Sequence, residues 1–168
     1  IVTVTEIPQE IAEDDRAWFV RPVSDSKEIA GGVKSGREIV GIARKVLALP
    51  EADIPGGALR PETEMMLAPP VRIQKEWRLW IVADQVVTYS LYREGARVTY
   101  RAEIDDDVLV FARQMVARNP GYAPAYVLDI CRTGDGLFIL ETNCLNAAGF
   151  YAADLSRIVA ALLHAHAD

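Results

Sequence analysis

The chain has 168 residues, of which 51% are hydrophobic and 25% are charged, and its formal net charge is -6. This composition is typical of a globular domain with an apolar core, and we expect one domain with at most a smaller second lobe. The acidic balance disfavours a general nucleic-acid or anionic-membrane surface, since phosphate binding needs clustered Lys and Arg. A local cationic pocket stays open.

The sequence carries no recognisable targeting or membrane signal. Its apolar runs fall short of the roughly 18 residues of a spanning helix, and its first residues lack the basic and then apolar pattern of a signal peptide. Cys131 and Cys144 fit no repeating metal spacing and are expected to be thiols, with a disulfide as the alternative. We therefore expect a cytoplasmic protein. Because the chain begins at Ile1 inside the strand-like IVTVT, we also expect it to be part of a longer protein.

The first predicted elements are two short strands. Residues 1–5 and 18–23 are rich in β-branched and aromatic side chains, and a turn-prone acidic segment lies between them. The polar segment 24–36, SDSKEIAGGVKSG, follows and is predicted to be a loop or hairpin. Its glycines do not form a P-loop, because that motif needs glycine before its lysine and Val33 precedes Lys34.

A helix and a long connector come next. Ser35 followed by Glu38 is a capping-box signature, and apolar residues at helical spacing continue from there, so we expect a helix that ends near Leu49. Residues 50–70 hold five prolines and several glycines. They are predicted to be an irregular connector between two halves of the chain.

The second half predicts an antiparallel meander, a helix, a hairpin and a final helix. Alternating apolar and polar residues over 75–82, 86–92 and 96–102 indicate three consecutive strands. Three aspartates open an apolar stripe over 105–119, which predicts a helix because carboxylates favour the positive end of the helix dipole. The last helix is predicted over 152–166, from its apolar spacing.

The hairpin LDICRTGDGLFILETN, residues 128–143, raises a charge problem. If Gly134-Asp135-Gly136 is a three-residue turn, Asp129 lies directly opposite Glu141, on the face that also carries Cys131, Ile139 and Asn143. Two carboxylates about 5 Å apart at an effective dielectric near 20 repel by roughly 3 kcal/mol, so a cation must offset them or one must be protonated. A two-residue turn would instead put the two acids on opposite faces.

Two carboxylates and an amide are ligands that suit Mg²⁺ or Mn²⁺, which fill their remaining positions with water and phosphate oxygens. The alternative is a solvated acidic edge without a metal. On the neighbouring predicted strand, Arg78 alternates onto the face of Glu76 and Trp80, and a half-buried arginine needs a partner. That partner could equally be a ligand or a neighbouring acid. A cysteine nucleophile is disfavoured, because the two histidines lie at the chain's end.

Several motifs, taken in order, resemble the ATP-grasp fold. YVLDI, ILETN and AAGFYAADLSRIVAALL resemble its last strands and helix, EWRLWIVADQVVTYSLY its central strands, and WFVRP its FVKP-type strand. Together they cover roughly residues 18–163. The resemblance implies an α+β fold, with antiparallel sheets and helices packed on one face. It also implies a partial small lobe with its connector over residues 1–64 and a large lobe over 65–168 that carries the metal site.

The resemblance assigns roles to residues. Asp129, Glu141 and Asn143 match the metal ligands of the family. Arg21 falls where the family usually has a lysine that reaches the nucleotide phosphates, and Lys27 lies where its phosphate-covering loop belongs.

Four further residues complete the expected site. Leu67 lies in the segment that corresponds to the hinge along the adenine pocket. Arg78, in an E-x-R motif with Glu76, matches an arginine that faces the phosphates or the substrate, and it is the expected catalytic residue. Asn146 follows the metal strand, where it could reach a phosphate or simply form a turn.

The function implied is that of an ATP- and Mg²⁺-dependent ligase, which activates a carboxylate as an acyl phosphate for attack by an amine or similar nucleophile. The substrate would be a small-molecule or peptide carboxylate, with no nucleic-acid or membrane partner. The family's preceding substrate-binding domain is absent from these residues and is expected on a missing segment, and a homodimer stays open. The alternatives are a nucleotide-binding or protein-interaction module without catalysis, and an unrelated α+β domain without a nucleotide site.

Overall fold

The protein is described by a computed structural model that covers residues 1–24 and 30–166, with the side chain of Ala147 left out. The chain forms two compact units, Ile1–Val71 and Arg72–Asp168. Each unit contains one antiparallel sheet with helices packed against it. No helix in the described part of the chain has both the length and the apolar character needed to cross a membrane.

The first unit is built on a four-stranded sheet. Its order is β1 (Val2–Thr3), β4 (Glu64–Ala68), β2 (Ala17–Pro22) and β3 (Gly32–Ser35), and every neighbouring pair is antiparallel. Helices α1 (Ile7–Glu10) and α2 (Gly36–Leu47) and a 3-10 turn (Glu51–Asp53) complete the unit. Residues of β1, β2, β4 and both helices form one apolar core, because each element buries one side.

The helix α2 begins where the sequence predicts. The Ser35 hydroxyl accepts a hydrogen bond from the Glu38 backbone N–H at 3.2 Å, and the Glu38 carboxylate accepts one from the Ser35 backbone N–H at 2.7 Å. This reciprocal bonding lowers the pKa of Glu38. Ile39, Val40 and Ala43 are buried on the side that faces the core.

The connector contains more order than predicted. Residues 64–68 form β4, which pairs with β1 through Val2 and Met65 and with β2 through Val20 and Leu67. This pairing places the residues up to Val71 in the first unit, so the contacts divide the chain after Val71, whereas the sequence led us to divide the lobes after residue 64.

The second unit is built on a five-stranded antiparallel sheet. Its order is β7 (Arg97–Arg101), β6 (Gln85–Glu94), β5 (Lys75–Val82), β8 (Ala125–Thr133) and β9 (Gly136–Cys144). Helix α3 (Asp106–Arg118) connects β7 to β8, and a 3-10 turn (Leu145–Ala147) and α4 (Leu155–Ala165) follow β9. The predicted meander of β5, β6 and β7 is confirmed.

The two faces of this sheet differ. On one face Trp77, Leu79 and Ile81 pack against Val108, Ala112 and Val116 of α3. On the other face Trp80 and Val127 pack against Ala148 and Ile158, the last from α4. The α+β class with antiparallel sheets is confirmed, and in this unit the helices lie on opposite faces because successive strand residues alternate between them.

The β8–β9 hairpin reaches the predicted pairing by another route. Thr133 pairs with Gly136, so the turn has two residues and the predicted three-residue turn is wrong. A register shift follows: Ile130 pairs with Ile139, but Asp129 pairs with Glu141, which leaves Leu140 as the extra residue of a bulge. The two differences cancel for the acids, and Asp129 lies opposite Glu141 as predicted. Ile139, in contrast, lies on the face of Ile130 and not on that of the acids.

Candidate functional site

A row of charged side chains crosses three strands of the second sheet. Arg78 on β5 pairs with Asp129 on β8, and Asp129 pairs with Glu141 on β9. The guanidinium of Arg78 donates two hydrogen bonds to the carboxylate of Asp129, Nε to Oδ1 at 2.8 Å and Nη2 to Oδ2 at 2.7 Å. The side chains are only 9% and 2% exposed, so this is a buried, bidentate ion pair.

Glu141 and Asn143 continue the row toward solvent. Arg78 Nη2 lies 3.8 Å from Glu141 Oε1, and Asn143 donates a hydrogen bond through Nδ2 to the same oxygen at 2.8 Å. The Glu141 side chain is 56% exposed. The repulsion between Asp129 and Glu141 is therefore offset inside the protein by Arg78, which is the neighbouring-acid partner left open in the sequence analysis.

The ion pair fixes the charge of the arginine. Its hydrogen bonds to Asp129 raise the pKa of Arg78 above its ordinary value, although burial acts in the opposite direction. The guanidinium therefore stays charged at any pH at which the protein is folded. Removing either partner would leave an uncompensated buried charge, a change that costs about 3–5 kcal/mol in proteins.

Glu76 occupies the same face, one alternation before Arg78. Tyr92 donates its hydroxyl to Glu76 Oε2 at 2.6 Å, and Arg93 Nη1 lies 3.4 Å from Glu76 Oε1. Burial, and then the hydrogen bond to Glu76, raise the pKa of Tyr92, so the phenol remains a donor at neutral pH. Glu76 is thus held by two side chains of β6, although the sequence led us to expect it among the nucleotide-binding residues.

The sequence analysis missed three residues on this face. Thr88 and Ser90 of β6 are buried with their hydroxyls directed at the segment before α4, and Tyr151 of that segment lies beside Arg78. Thr88 and Ser90 pair with Trp80 and Arg78, so their alternation with apolar neighbours was a usable signal. Tyr151 gave none, because it lies in an irregular loop.

The remaining predicted residues lie on other elements. Arg21 on β2 pairs with Met66 and donates Nε to the carbonyl of Pro22 at 3.1 Å. Leu67 on β4 pairs with Val20 and packs against the core of the first unit. Asn146 lies exposed in the 3-10 turn after β9. Lys27 lies outside the described residues.

The donor set at the exposed end of the row fits a hard divalent ion. No group of three or more His, Cys, Asp or Glu side chains suited to a metal occurs among residues 1–24 and 30–166. Glu141 and Asn143 nevertheless present a carboxylate and an amide oxygen side by side, and Asp129 lies next to them. Mg²⁺ commonly takes only a few protein oxygens together with water and phosphate oxygens, which this arrangement permits.

Comparison with known proteins places this fold in a family. Residues 2–162 match a family model described as an ATP-grasp domain, the third family of its clade. The chain therefore belongs to the ATP-grasp domains, as its motifs suggested. No curated protein sequence matches the chain.

Three solved proteins illustrate the structural similarity. The ATP-grasp ligase PsnB complexed with a minimal precursor is 17% identical, with a TM-score of 0.56 over 90% of this chain and 48% of PsnB. The D-cycloserine synthetase DcsG is 15% identical, with a TM-score of 0.55 over 91% of this chain and 56% of that one. D-alanine–D-alanine ligase from Bacillus anthracis, complexed with ATP, is 16% identical, with a TM-score of 0.52 over 88% and 53%.

These likenesses establish the fold, and the chain spans about half the length of each of the three proteins. Other structures of PsnB contain a precursor peptide with AMPPNP, or a precursor variant with Mg and ADP.

Proposed function

We propose that this domain belongs to an ATP- and Mg²⁺-dependent ligase that activates a carboxylate as an acyl phosphate, which an amine or similar nucleophile then attacks. The observation that carries the proposal is the row Arg78, Asp129, Glu141 and Asn143 on one face of an ATP-grasp sheet. It combines a fixed cation with oxygen ligands at its exposed end. Such a combination can bind and neutralise phosphoryl oxygens.

The residues proposed to hold the metal are Glu141, Asn143 and Asp129. When bound, Mg²⁺ would bridge phosphate oxygens and neutralise their charge. Glu141 is the best placed of the three, because it is exposed and one of its oxygens is unshared among the contacts of the described residues. Both oxygens of Asp129 accept hydrogen bonds from Arg78, so Asp129 would contribute through a shared oxygen.

Arg78 is the proposed catalytic residue. Its Nε and Nη2 are occupied by Asp129, and Nη1 has no hydrogen-bond partner among the described residues. A carboxylate oxygen would attack the terminal phosphorus of ATP and displace ADP, and the Nη1 donors would stabilise the charge on the transferred phosphoryl. The nucleophile would then attack the acyl carbon and displace phosphate.

The other residues are proposed to bind nucleotide. Arg21 and Lys27 would contact phosphates, and Leu67 would line the adenine pocket through its backbone. Asn146 would reach a phosphate from the turn after β9. For Glu76 the supported role is indirect, because it is engaged by Tyr92 and Arg93.

The substrate class is proposed from the similar proteins. PsnB is described with a precursor peptide, whereas DcsG and D-alanine–D-alanine ligase are named for small molecules. We therefore propose either a small-molecule or a peptide carboxylate. A cytoplasmic location, an additional substrate domain and a homodimer stay predictions from the sequence.

The test is magnesium-dependent turnover of ATP by the full-length chain over a panel of carboxylates and amines. Glu141→Gln keeps the shape of the side chain and removes the charge, so turnover should fall by about a hundredfold, as for the loss of an electrostatic contact made in the transition state. Glu103→Gln, at an exposed acid paired only with Arg101, is the matched control and should keep turnover. Unchanged turnover in Glu141→Gln would refute the metal assignment.

One observation favours a second function, a nucleotide-binding module without catalysis. Arg78 already neutralises Asp129, so the row is satisfied without any metal. The same experiment separates the two functions. Binding of Mg-ATP without turnover of any substrate would support the module, and turnover sensitive to Glu141→Gln would support the ligase.

A further inference from the structure

A short segment between β9 and α4, residues 149–154, lies across the face that carries Arg78; we name it the strap. The backbone N–H of Ala152 donates to Ser90 Oγ at 3.3 Å, and that of Asp154 donates to Thr88 Oγ1 at 3.1 Å. Thr88 and Ser90 are both buried. Two buried hydroxyls on β6 therefore tie the strap to the sheet, although both are more than sixty positions away in sequence.

Within the strap, Tyr151 adopts a backbone conformation that aromatic residues rarely take. Its φ is +49°, in the left-handed region, which costs about 1–2 kcal/mol for a side chain with a Cβ. Such conformations persist where the surroundings impose them, and they cluster at functional sites. The strain is not needed to bury apolar surface, because Tyr151 remains 39% exposed.

Aromatic contacts fix the ring of Tyr151. It stacks on Tyr92 with ring centroids 5.2 Å apart, and on Tyr100 with centroids 5.0 Å apart. The preceding residue, Phe150, stacks on Trp80 at 6.4 Å. Two consecutive aromatic residues of the strap are therefore anchored on the sheet, one against Trp80 and one against Tyr92.

The ring of Tyr151 lies beside the guanidinium of Arg78. The Cζ atom of Arg78 is 5.1 Å from the Tyr151 ring centroid and 5.8 Å from that of Tyr92, which is within the range of a cation–π contact. Asp129 already engages Nε and Nη2. The carboxylate and the two rings together leave Nη1 as the part of the guanidinium available to a ligand.

We propose that Tyr151 is a positioning residue for Arg78: the strap holds its ring against the guanidinium, so that the Nη1 donors keep one direction toward the reacting phosphoryl or carboxylate group. The catalytic consequence rests on the proposed ligase function, whereas the contact itself does not. Tyr151 acts through Arg78 and needs no contact with the substrate. A preorganised donor is worth more than a free one because it needs no reordering during the reaction.

The first test measures Arg78 directly, by nuclear magnetic resonance of the full chain labelled with ¹⁵N-arginine. The Nε–H signal of Arg78 is assigned by its absence in Arg78→Lys. In Tyr151→Gly, which removes the ring and relieves the left-handed backbone, this signal should shift and its exchange with water should speed up about tenfold or more. Tyr151→Asn, which also tolerates this backbone, provides a second ring-free variant.

Two matched variants distinguish positioning from general packing. Tyr151→Phe keeps the ring and should keep the Arg78 signal near its wild-type position. Tyr100→Ala removes a ring that stacks on Tyr151 but makes no contact with Arg78, so its effect should be several-fold smaller than that of Tyr151→Gly. An Arg78 signal and exchange rate unchanged in both ring-free variants would overturn the proposal.

The second test is kinetic. Tyr151→Gly should lower kcat about tenfold, with KM for ATP changed by less than about threefold, since the lost interaction acts on the transition state. Tyr151→Phe should retain most of kcat. Wild-type kcat in Tyr151→Gly would refute the catalytic consequence. If the wild-type chain turns over no substrate with Mg-ATP, the proposed ligase function fails, and the NMR result alone then decides whether Tyr151 positions Arg78.

Discussion

The two sheets of this protein are of similar size but bury different kinds of residue. In the first unit, within the part of the chain that the structure describes, no charged or polar side chain is buried, and the core consists of apolar residues such as Val4, Val20, Ile39 and Met65. In the second unit one face is equally apolar, but the other buries polar and charged side chains. The buried polar and charged residues of the second unit are Glu76, Arg78, Thr88, Ser90, Asp129 and Thr133.

This difference separates the residues that stabilise the fold from those that are available for chemistry. Burying a charge is costly unless it is paired and hydrogen-bonded, and an apolar residue of similar size at the same place is often as stable. The first sheet achieves a core without such pairs. The charged face of the second sheet is therefore best explained by function, and the following predictions test that contrast.

The largest expected effect is on stability, from breaking the buried ion pair. Asp129→Leu leaves Arg78 buried without its partner and should lower the free energy of unfolding by about 3–5 kcal/mol, measured by urea denaturation. The double variant Arg78→Met/Asp129→Leu should recover most of this loss. In the first unit, Glu13→Gln at the exposed pair with Arg44 should cost less than about 1 kcal/mol. Similar losses at the two sites would remove the contrast between the sheets.

A smaller effect is expected on metal binding, from the exposed end of the row. Asn143→Ala removes an amide oxygen next to Glu141 and should weaken the binding of Mn²⁺, in the presence of ATP, about tenfold, which corresponds to ~1.4 kcal/mol. Electron paramagnetic resonance of free Mn²⁺ measures this. The free energy of unfolding without metal should change little, because Asn143 is only partly buried. Equal Mn²⁺ affinity in the variant would contradict the metal site.

Alkaline pH should expose the hydrogen bond between Tyr92 and Glu76. The pKa of Tyr92 is raised above 10 in the folded chain by burial and by that bond, whereas the unfolded phenol titrates near its ordinary value. Above pH 10 the unfolded state therefore binds fewer protons than the folded state, so stability is complete below pH 10 and falls as pH rises, by up to about 1.4 kcal/mol per pH unit.

The control for this prediction is Tyr92→Phe, which has no phenol to titrate. Its unfolding free energy should depend less steeply on pH above 10 than that of the wild type. Parallel pH profiles of the two proteins would mean that the Tyr92 hydroxyl is not buried in this bond.

The smallest effect is expected in the first unit, at the start of α2. Ser35→Ala removes the side-chain acceptor of the capping box and should lower the unfolding free energy by about 1 kcal/mol. Ser35→Asp, which retains an acceptor, should be close to wild type. Neither variant should alter Mn²⁺ or ATP binding through the row of the second unit. A loss as large as that of Asp129→Leu would again remove the contrast.

Local patterns allowed much of the fold to be predicted. The capping box of Ser35 and Glu38, the alternation of β5 and the aspartates before α3 each report on the conformation of neighbouring residues, and those elements are confirmed. The strands β3 and β4 were not predicted, since both are short and lie in segments rich in glycine or proline. They are strands only because β2 pairs with both.

The candidate site was predictable in its membership but not in its partnerships. Glu141 and Asn143 follow from a short motif, whereas the pairing of Arg78 with Asp129 depends on β5 lying next to β8, an arrangement that joins residues 51 positions apart. Tyr151 was beyond prediction for the same reason, because its place is set by hydroxyls on β6. Sequence patterns describe neighbours along the chain, and these contacts are set by the order of strands.

The bulge at Leu140 bears on how this hairpin can change length during evolution. The residues on either side of Leu140 pair with Ile130 and Asp129. Deleting Leu140 would leave those pairs intact and restore unbroken alternation, with Glu141 and Asn143 still on the face of Asp129. What Leu140 contributes is local twist and not register. A homologue one residue shorter here could therefore keep its acidic side chains in place.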